Sequence, residues 1–178
     1  MIAQTLAALS ADLGELTALF GDDWDILLVG DGSGCGRGSA CGFACLSVDR
    51  ASGKTLTWFG GFNRGSVNAA ELTAYLQALN HYANLNELGQ VARVTIVTDS
   101  QYVKNGGQQL AQAKSFDSNA GLWAAVRTFA RFGLVVKWQW HARDQVGLNT
   151  VADALSKLAR RVAEQYALAG AAVGLESG

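Results

Sequence analysis

The sequence predicts an α/β protein: a five-stranded mixed sheet with helices on both faces and an extra helix at the N-terminus. Three observations lead there. Short apolar runs rich in branched residues are interleaved with segments of helical periodicity, the pattern of a sheet covered by helices. Of the 178 residues, 49% are hydrophobic and 16% charged, against roughly 25% charged in a typical globular domain, so the chain has ample material for a core. No run approaches the roughly 18 apolar residues of a membrane span, so no membrane partner is expected.

The elements follow in order. Ile2, Leu6, Leu9, Leu13, Leu16 and Phe20 step by 4, 3, 4, 3 and 4. That spacing makes residues 1–23 an amphipathic helix, either laid on its own domain or offered to a second copy or another chain as a coiled-coil seam. The run from Trp24 to Asp31 reads as a central strand ended by Asp31, and Gly32–Gly38 as a glycine-rich loop. Phe43–Asp49 and Lys54–Gly61 form a hairpin through Ser52-Gly53. Asn68–Ala83 places Leu72, Tyr75, Leu76, Leu79 and Tyr82 on one helical face. Val91–Thr98 is a second buried strand, followed by helices near 100–113 and 120–132. Leu134–Trp140 is the last strand, and a helix over 150–168 is expected to bury Val151, Leu155, Leu158 and Val162. Residues 24–168 make up the main domain and 169–178 a flexible tail. With no proline, turns must lean on the 21 glycines.

Net charge is −1, which does not advertise a polyanion partner. Its distribution is more informative. Residues 1–25 hold five acids and no base, so the remainder carries 14 minus 10, or +4. Cys35, Cys41 and Cys45 cannot all pair and lack the spacing of a soft-metal site. The first basic residue is Arg37, so no signal peptide is read and a cytoplasmic location is expected.

Four acids stand out. Asp31 and Asp99 each follow an apolar strand and precede a turn residue, Gly32 and Ser100. If the two strands are parallel neighbours, their ends lie about 4.8 Å apart, at the edge where open α/β sheets bind ligands. Glu71 and Asp153 are expected in the first turns of helices capped by Asn68 and Asn149. Carboxylates gathered in one place repel and raise each other's pKa unless a cation compensates. An all-oxygen set suits Mg²⁺ or Mn²⁺.

The ordered pieces Asp31-Gly32-Ser33-Gly34, Asn68-Ala69-Ala70-Glu71-Leu72, Thr98-Asp99-Ser100-Gln101-Tyr102-Val103, Leu122-Trp123, Trp138-Gln139-Trp140 and Asn149-Thr150-Val151-Ala152-Asp153-Ala154-Leu155 resemble ribonuclease H type 1 over about residues 24–167. That resemblance implies an RNase H-like fold and an endoribonuclease that hydrolyses the RNA strand of an RNA/DNA hybrid, leaving 5′-phosphate and 3′-hydroxyl ends. It implies that Asp31, Glu71, Asp99 and Asp153 hold two Mg²⁺ ions, with Mn²⁺ an alternative, and that Asp31 bridges the pair. The backbone of Gly32, Ser33 and Gly34 would meet a ribose 2′-hydroxyl, the group that distinguishes RNA. Ser66, Asn68 and Gln101 match hybrid-contacting positions; Arg37, Arg143 and Asn149 complete the expected substrate set.

Two departures qualify the likeness. Many members carry a His in the loop before the last Asp; here His141 directly follows the final strand, as an auxiliary group or a strand-end residue without chemistry. The loop is more similar to the His-less branch, with Arg143 standing in. The basic protrusion of some members is missing, since Lys104 and Lys114 are the only bases between Tyr102 and Trp123. Competing readings are a resolvase- or transposase-type nuclease of the same fold, a non-catalytic hybrid-binding protein, and an actin-like ATPase.

Overall fold

Ile26, Leu27, Leu28 and Val29 are successive residues of one strand and each is at most 1% exposed. Such burial on both faces requires a layer of helix above and below. The computed structural model describes residues 12–87, 93–112 and 115–175, and the layers are there. The elements are α1 (Leu13–Phe20), β1 (Ile26–Gly34), β2 (Ser39–Asp49), β3 (Thr55–Gly65), α2 (Val67–Glu87) and β4 (Arg93–Thr98). They continue with α3 (Gln101–Ala111), α4 (Ala120–Arg131), β5 (Val135–Trp140), a 3₁₀ turn at Arg143–Gln145, and α5 (Gly147–Leu175).

The sheet order is β3-β2-β1-β4-β5. β1 pairs antiparallel with β2 on one side and parallel with β4 on the other, so it is the seam between two kinds of ladder. One face is covered by α2, α3 and α4, with Leu72, Tyr75, Leu79, Val103 and Trp123 in its core. On the other face α1 and α5 enclose Leu16, Phe20, Trp24, Leu27, Val29 and Ala152. Among the described residues, no helix is long and apolar enough to cross a membrane.

Leu16 and Phe20, 5% and 6% exposed, pack inward onto this domain. That is the first of the two uses expected of the N-terminal seam; Ile2, Leu6 and Leu9 lie outside the described residues. β1 runs three residues past Asp31, because β2 keeps pairing with it as far as Gly34↔Cys41. The parallel ladder to β4 stops earlier, at Val29↔Val97. Asp31 therefore lies inside a strand, just beyond the end of one of its ladders.

The last helix departs most from expectation. It begins at Gly147 and extends to Leu175, into the stretch expected to be a loose tail. Leu158 and Val162 are 41% and 43% exposed, whereas Ala152, Leu155, Ala159 and Ala163 are buried. The cause is close approach. A Cβ on Gly42 would stand 2.1 Å from the Ser156 carbonyl oxygen and 2.3 Å from the Arg160 nitrogen. One on Gly61, its cross-strand partner, would stand 2.8 Å from the Ala159 oxygen. α5 beds its alanines on a floor of glycine, and Leu158 and Val162 are turned to one side.

Candidate active site

The parallel register that pairs Val29 with Val97 brings Asp31 of β1 and Asp99, which follows β4, to one end of the sheet. Their neighbours confirm the proximity. Arg143 Nε donates to Asp99 Oδ2 at 2.6 Å, and its Nη2 lies 3.7 Å from Asp31 Oδ1. Arg143 comes from the 3₁₀ turn, so three separate chain segments meet around its guanidinium.

Asp31 is 2% exposed. Its Oδ2 accepts a 2.6 Å hydrogen bond from the Ser156 hydroxyl of α5. Its Oδ1 is buried and accepts no hydrogen bond. Burial raises the pKa of this carboxyl, the Ser156 bond works against that, and Asp99 and Asp153 raise it further.

Glu71 arrives on α2 from the other side of β1. A Cβ on Gly32 would lie 2.4 Å from the Glu71 nitrogen and 2.8 Å from its Cγ, so only glycine lets the helix settle there. Burial pushes the Glu71 carboxyl up to about 7; the Ser100 hydroxyl, donating to Oε2, opposes this, and Asp31 and Asp99 add to it. Asp153 stands one turn before Ser156 on α5, with its carboxylate 2.7 Å from Lys157 Nζ.

Some local expectations need correction. α2 starts at Val67 and is capped by Ser66, whose hydroxyl accepts from the Ala69 N–H at 3.2 Å; Asn68 is already inside the helix, exposed. Asn149 is also inside its helix, and it is 4% exposed. Its Nδ2 donates to Asp99 Oδ2 at 3.3 Å and to the Arg143 carbonyl at 3.4 Å, so it ties the acid to the 3₁₀ turn from within the helix instead of capping it. Glu71 and Asp153 consequently lie four and six residues past the first residues of their helices, and burial, not the helix dipole, dominates at Glu71.

The remaining expected residues divide by place. Gly32, Ser33 and Gly34 form the half-buried end of β1, and Gln101 is exposed at the start of α3. Arg37, Ser66 and Asn68 line an open polar cleft of about 700 Å³ together with Arg64 and Asn119. The His141 ring packs edge-on against Phe20 of the N-terminal helix, the ring centroids 5.2 Å apart.

Sequence reasoning missed Arg64, Ser156, Ser100 and Trp140. Arg64 was hidden because β3 was expected to end at Gly61. Ser100 and Ser156 had a usable signal, a hydroxyl one or three residues after a candidate acid. Trp140 Nε1 donates to the Asp99 carbonyl at 3.1 Å, tying β5 to the loop that bears that acid.

Hard oxygen donors, one of them a buried carboxylate atom without a hydrogen-bond donor, fit a divalent cation in chemistry. As placed, each acid is held by its own serine, lysine or arginine. Among the described residues no three His, Cys, Asp and Glu side chains are gathered into a ready ligand set.

A search of curated proteins finds no match. Solved structures do match. The N-terminal RNase H domain of rv2228c from Mycobacterium tuberculosis, solved as a maltose-binding-protein fusion, superposes with a TM-score of 0.66 at 19% identity, covering 82% of this chain and 99% of that one. LC11-RNase H1 in complex with an RNA/DNA hybrid gives 0.65 at 16%, covering 78% and 98%. RNase H1 from the halophilic archaeon Halobacterium salinarum NRC-1 gives 0.56 at 24%, covering 75% and 96%. At such identities the likeness concerns the fold. The sequence profile of RNase H, by contrast, matches residues 24–161, from Trp24 through the last of the four acids and beyond, and on that match the chain belongs to the RNase H family.

Proposed function

We propose that this protein is an endoribonuclease that hydrolyses the RNA strand of RNA/DNA hybrids with divalent cations, leaving 5′-phosphate and 3′-hydroxyl ends. The observation that carries the reading is Asp31: a carboxylate buried at the seam of the sheet, raised in pKa first by that burial and then by two other acids, with one oxygen accepting no hydrogen bond. Burying such a group costs stability unless a charge completes it, and Arg143 at 3.7 Å completes it only partly.

Asp31, Glu71, Asp99 and Asp153 would hold two ions, Mg²⁺ or Mn²⁺. Such a pair supplies activation of water and stabilisation of charge on the leaving oxygen in phosphoryl transfer. The chain's own groups do the rest. Ser156, Ser100 and Asn149 orient Asp31, Glu71 and Asp99 respectively. Arg143, more than half exposed beside Asp99, offers a guanidinium to a backbone phosphate. Arg37 and Arg64 flank the cleft of about 700 Å³ and would meet a second run of phosphates there, with Ser66, Asn68 and Asn119 as neutral donors. The half-buried end of β1 at Gly32 and Ser33 would provide a place for a 2′-hydroxyl. Support for a hybrid as substrate comes from family membership and from the relative solved on one.

With Mg²⁺ present, the full chain is expected to cut RNA in a labelled hybrid and spare the matching DNA duplex. Asp99→Asn should abolish cutting while circular dichroism shows the fold intact. Cutting of branched DNA with hybrid left whole, or ATP turnover without cutting, would overturn the proposal.

A further inference from the structure

We infer that Tyr75 is a positioning residue for the acid cluster: its hydroxyl takes the place of the missing rung between β1 and β4 and sets the separation of the strand ends bearing Asp31 and Asp99. The inference rests on the hydrolase reading above and deepens it. Sequence periodicity accounts for Tyr75 as a core residue, and its ring is indeed fully buried. Packing does not explain the hydroxyl. It stands 2.9 Å from the Gly30 carbonyl and 3.0 Å from the Val97 carbonyl, and it accepts from the Gly30 N–H at 3.2 Å.

Those backbone atoms belong to the residues adjoining the place where the parallel ladder ends, at Val29↔Val97. Asp31 is one residue beyond Gly30, and Asp99 is two beyond Val97. A single phenol proton shared by two carbonyls therefore bridges both strands immediately below the acids. The Thr98 side chain lies beside the same hydroxyl. Thr98 Oγ1 accepts from the Ser100 N–H at 3.1 Å, and the Ser100 hydroxyl donates to Glu71. Glu71 is itself one helical turn from Tyr75, so the loop of contacts closes on three of the four acids.

The backbone is shaped for this contact. A Cβ on Gly30 would come within 2.9 Å of the Tyr75 ring, and one on Gly32 within 2.4 Å of the Glu71 nitrogen. Two glycines on one face of β1 thus receive two successive turns of α2, one delivering a hydroxyl and the next a carboxylate.

Tyr82 on the same helix provides the control. It is 3% exposed, and its hydroxyl lies 2.6 Å from Ser47 Oγ, with no bond to the residues of the site. Tyr75→Phe and Tyr82→Phe should each lose a buried hydrogen bond, but only the first should disturb the acids. The test titrates Mg²⁺ into the full chain by calorimetry without substrate, and records carbon resonances of the Asp31, Glu71 and Asp99 carboxyls.

Tyr75→Phe is expected to weaken Mg²⁺ uptake by about tenfold or more, as loss of a group behind a metal ligand commonly does. It should also move the three carboxyl resonances and lower kcat at unchanged KM for hybrid, while Tyr82→Phe does none of these. Two variants that lose stability alike but keep wild-type Mg²⁺ affinity and carboxyl resonances would overturn the inference. If the wild-type chain takes up no Mg²⁺ and leaves hybrid whole, the hydrolase reading fails. The carboxyl resonances then decide alone: shifted only in Tyr75→Phe they uphold the positioning role, and unmoved they end it. Should Tyr75→Phe not fold, Thr98→Val, which cuts the link to Ser100, carries the same expectation for Glu71.

Discussion

Replacing Gly42 with alanine adds one methyl group where α5 lies on β2. The new carbon would sit 2.1 Å from the Ser156 carbonyl oxygen, 2.3 Å from the Arg160 nitrogen and 3.0 Å from the Ala159 carbonyl carbon. Ordinary contact begins near 3.4 Å, so the nearest atom is too close by 3.4 minus 2.1, or 1.3 Å. All three neighbours are backbone, and no rotamer change relieves them. α5 must retreat or tilt by about 1 Å, and overpacking of this kind typically costs about 1–3 kcal/mol. The retreat acts directly on the site, because Ser156 holds Asp31 at 2.6 Å and Asp153 lies one turn away. A 1 Å misplacement of catalytic groups can cost about 100-fold in rate. Chemical denaturation and initial rates of hybrid cleavage measure the two effects. Gly121→Ala is the comparison, since a methyl there meets nothing within 4 Å and should leave both quantities at or slightly above wild type. A Gly42→Ala protein within about 0.5 kcal/mol of wild type and cutting at full rate would refute the account of how α5 is seated.

Two further outcomes follow from charge. The raised pKa of Glu71 means the folded state holds its proton more tightly than the unfolded chain does. This penalty is absent below the ordinary value of 4.5, grows as pH rises, and is complete above about 7. A shift of this size corresponds to about 3 kcal/mol, so Glu71→Gln without divalent ions should be the more stable protein at pH 8 and equal to wild type near pH 4; equal denaturation midpoints at pH 8 would contradict it. Arg64→Ala should weaken hybrid binding regardless of sequence and lower the slope of log affinity against log salt by about 1, measured by fluorescence anisotropy across salt concentrations; an unchanged slope would remove Arg64 from the interface.

What could be read without coordinates depended on how local the cause was. β1 and β4 were legible because uninterrupted runs such as Ile26–Val29 have few alternatives to a doubly covered strand. Asp31 and Asp99 were legible because an acid directly after such a run has no apolar face to join. Glu71 and Asp153 depended on ordered motifs, and their caps were misplaced because several polar residues compete near each helix start, with Ser66 favoured over Asn68. The buried face of α5 was misread for a different reason. Hydrophobic periodicity weighs leucine and valine, whereas here glycines in β2 and β3 let alanines approach most closely. The hydroxyl of Tyr75 was invisible because its partners are backbone atoms of Gly30 and Val97, brought to it only by the fold.

The family resemblance begins at Trp24, but the hydrophobic layer beneath it does not. Phe20 rests edge-on against His141, and with Leu16 it closes over Trp24, Leu27 and Val29. Burying a leucine and a phenylalanine contributes about 1.5–3 kcal/mol each, a sizeable share of the net stability of a small protein. Homology and physics thus draw the border of this molecule at different residues. A version trimmed to the region shared with relatives would keep every acid and still bare the underside of its own sheet.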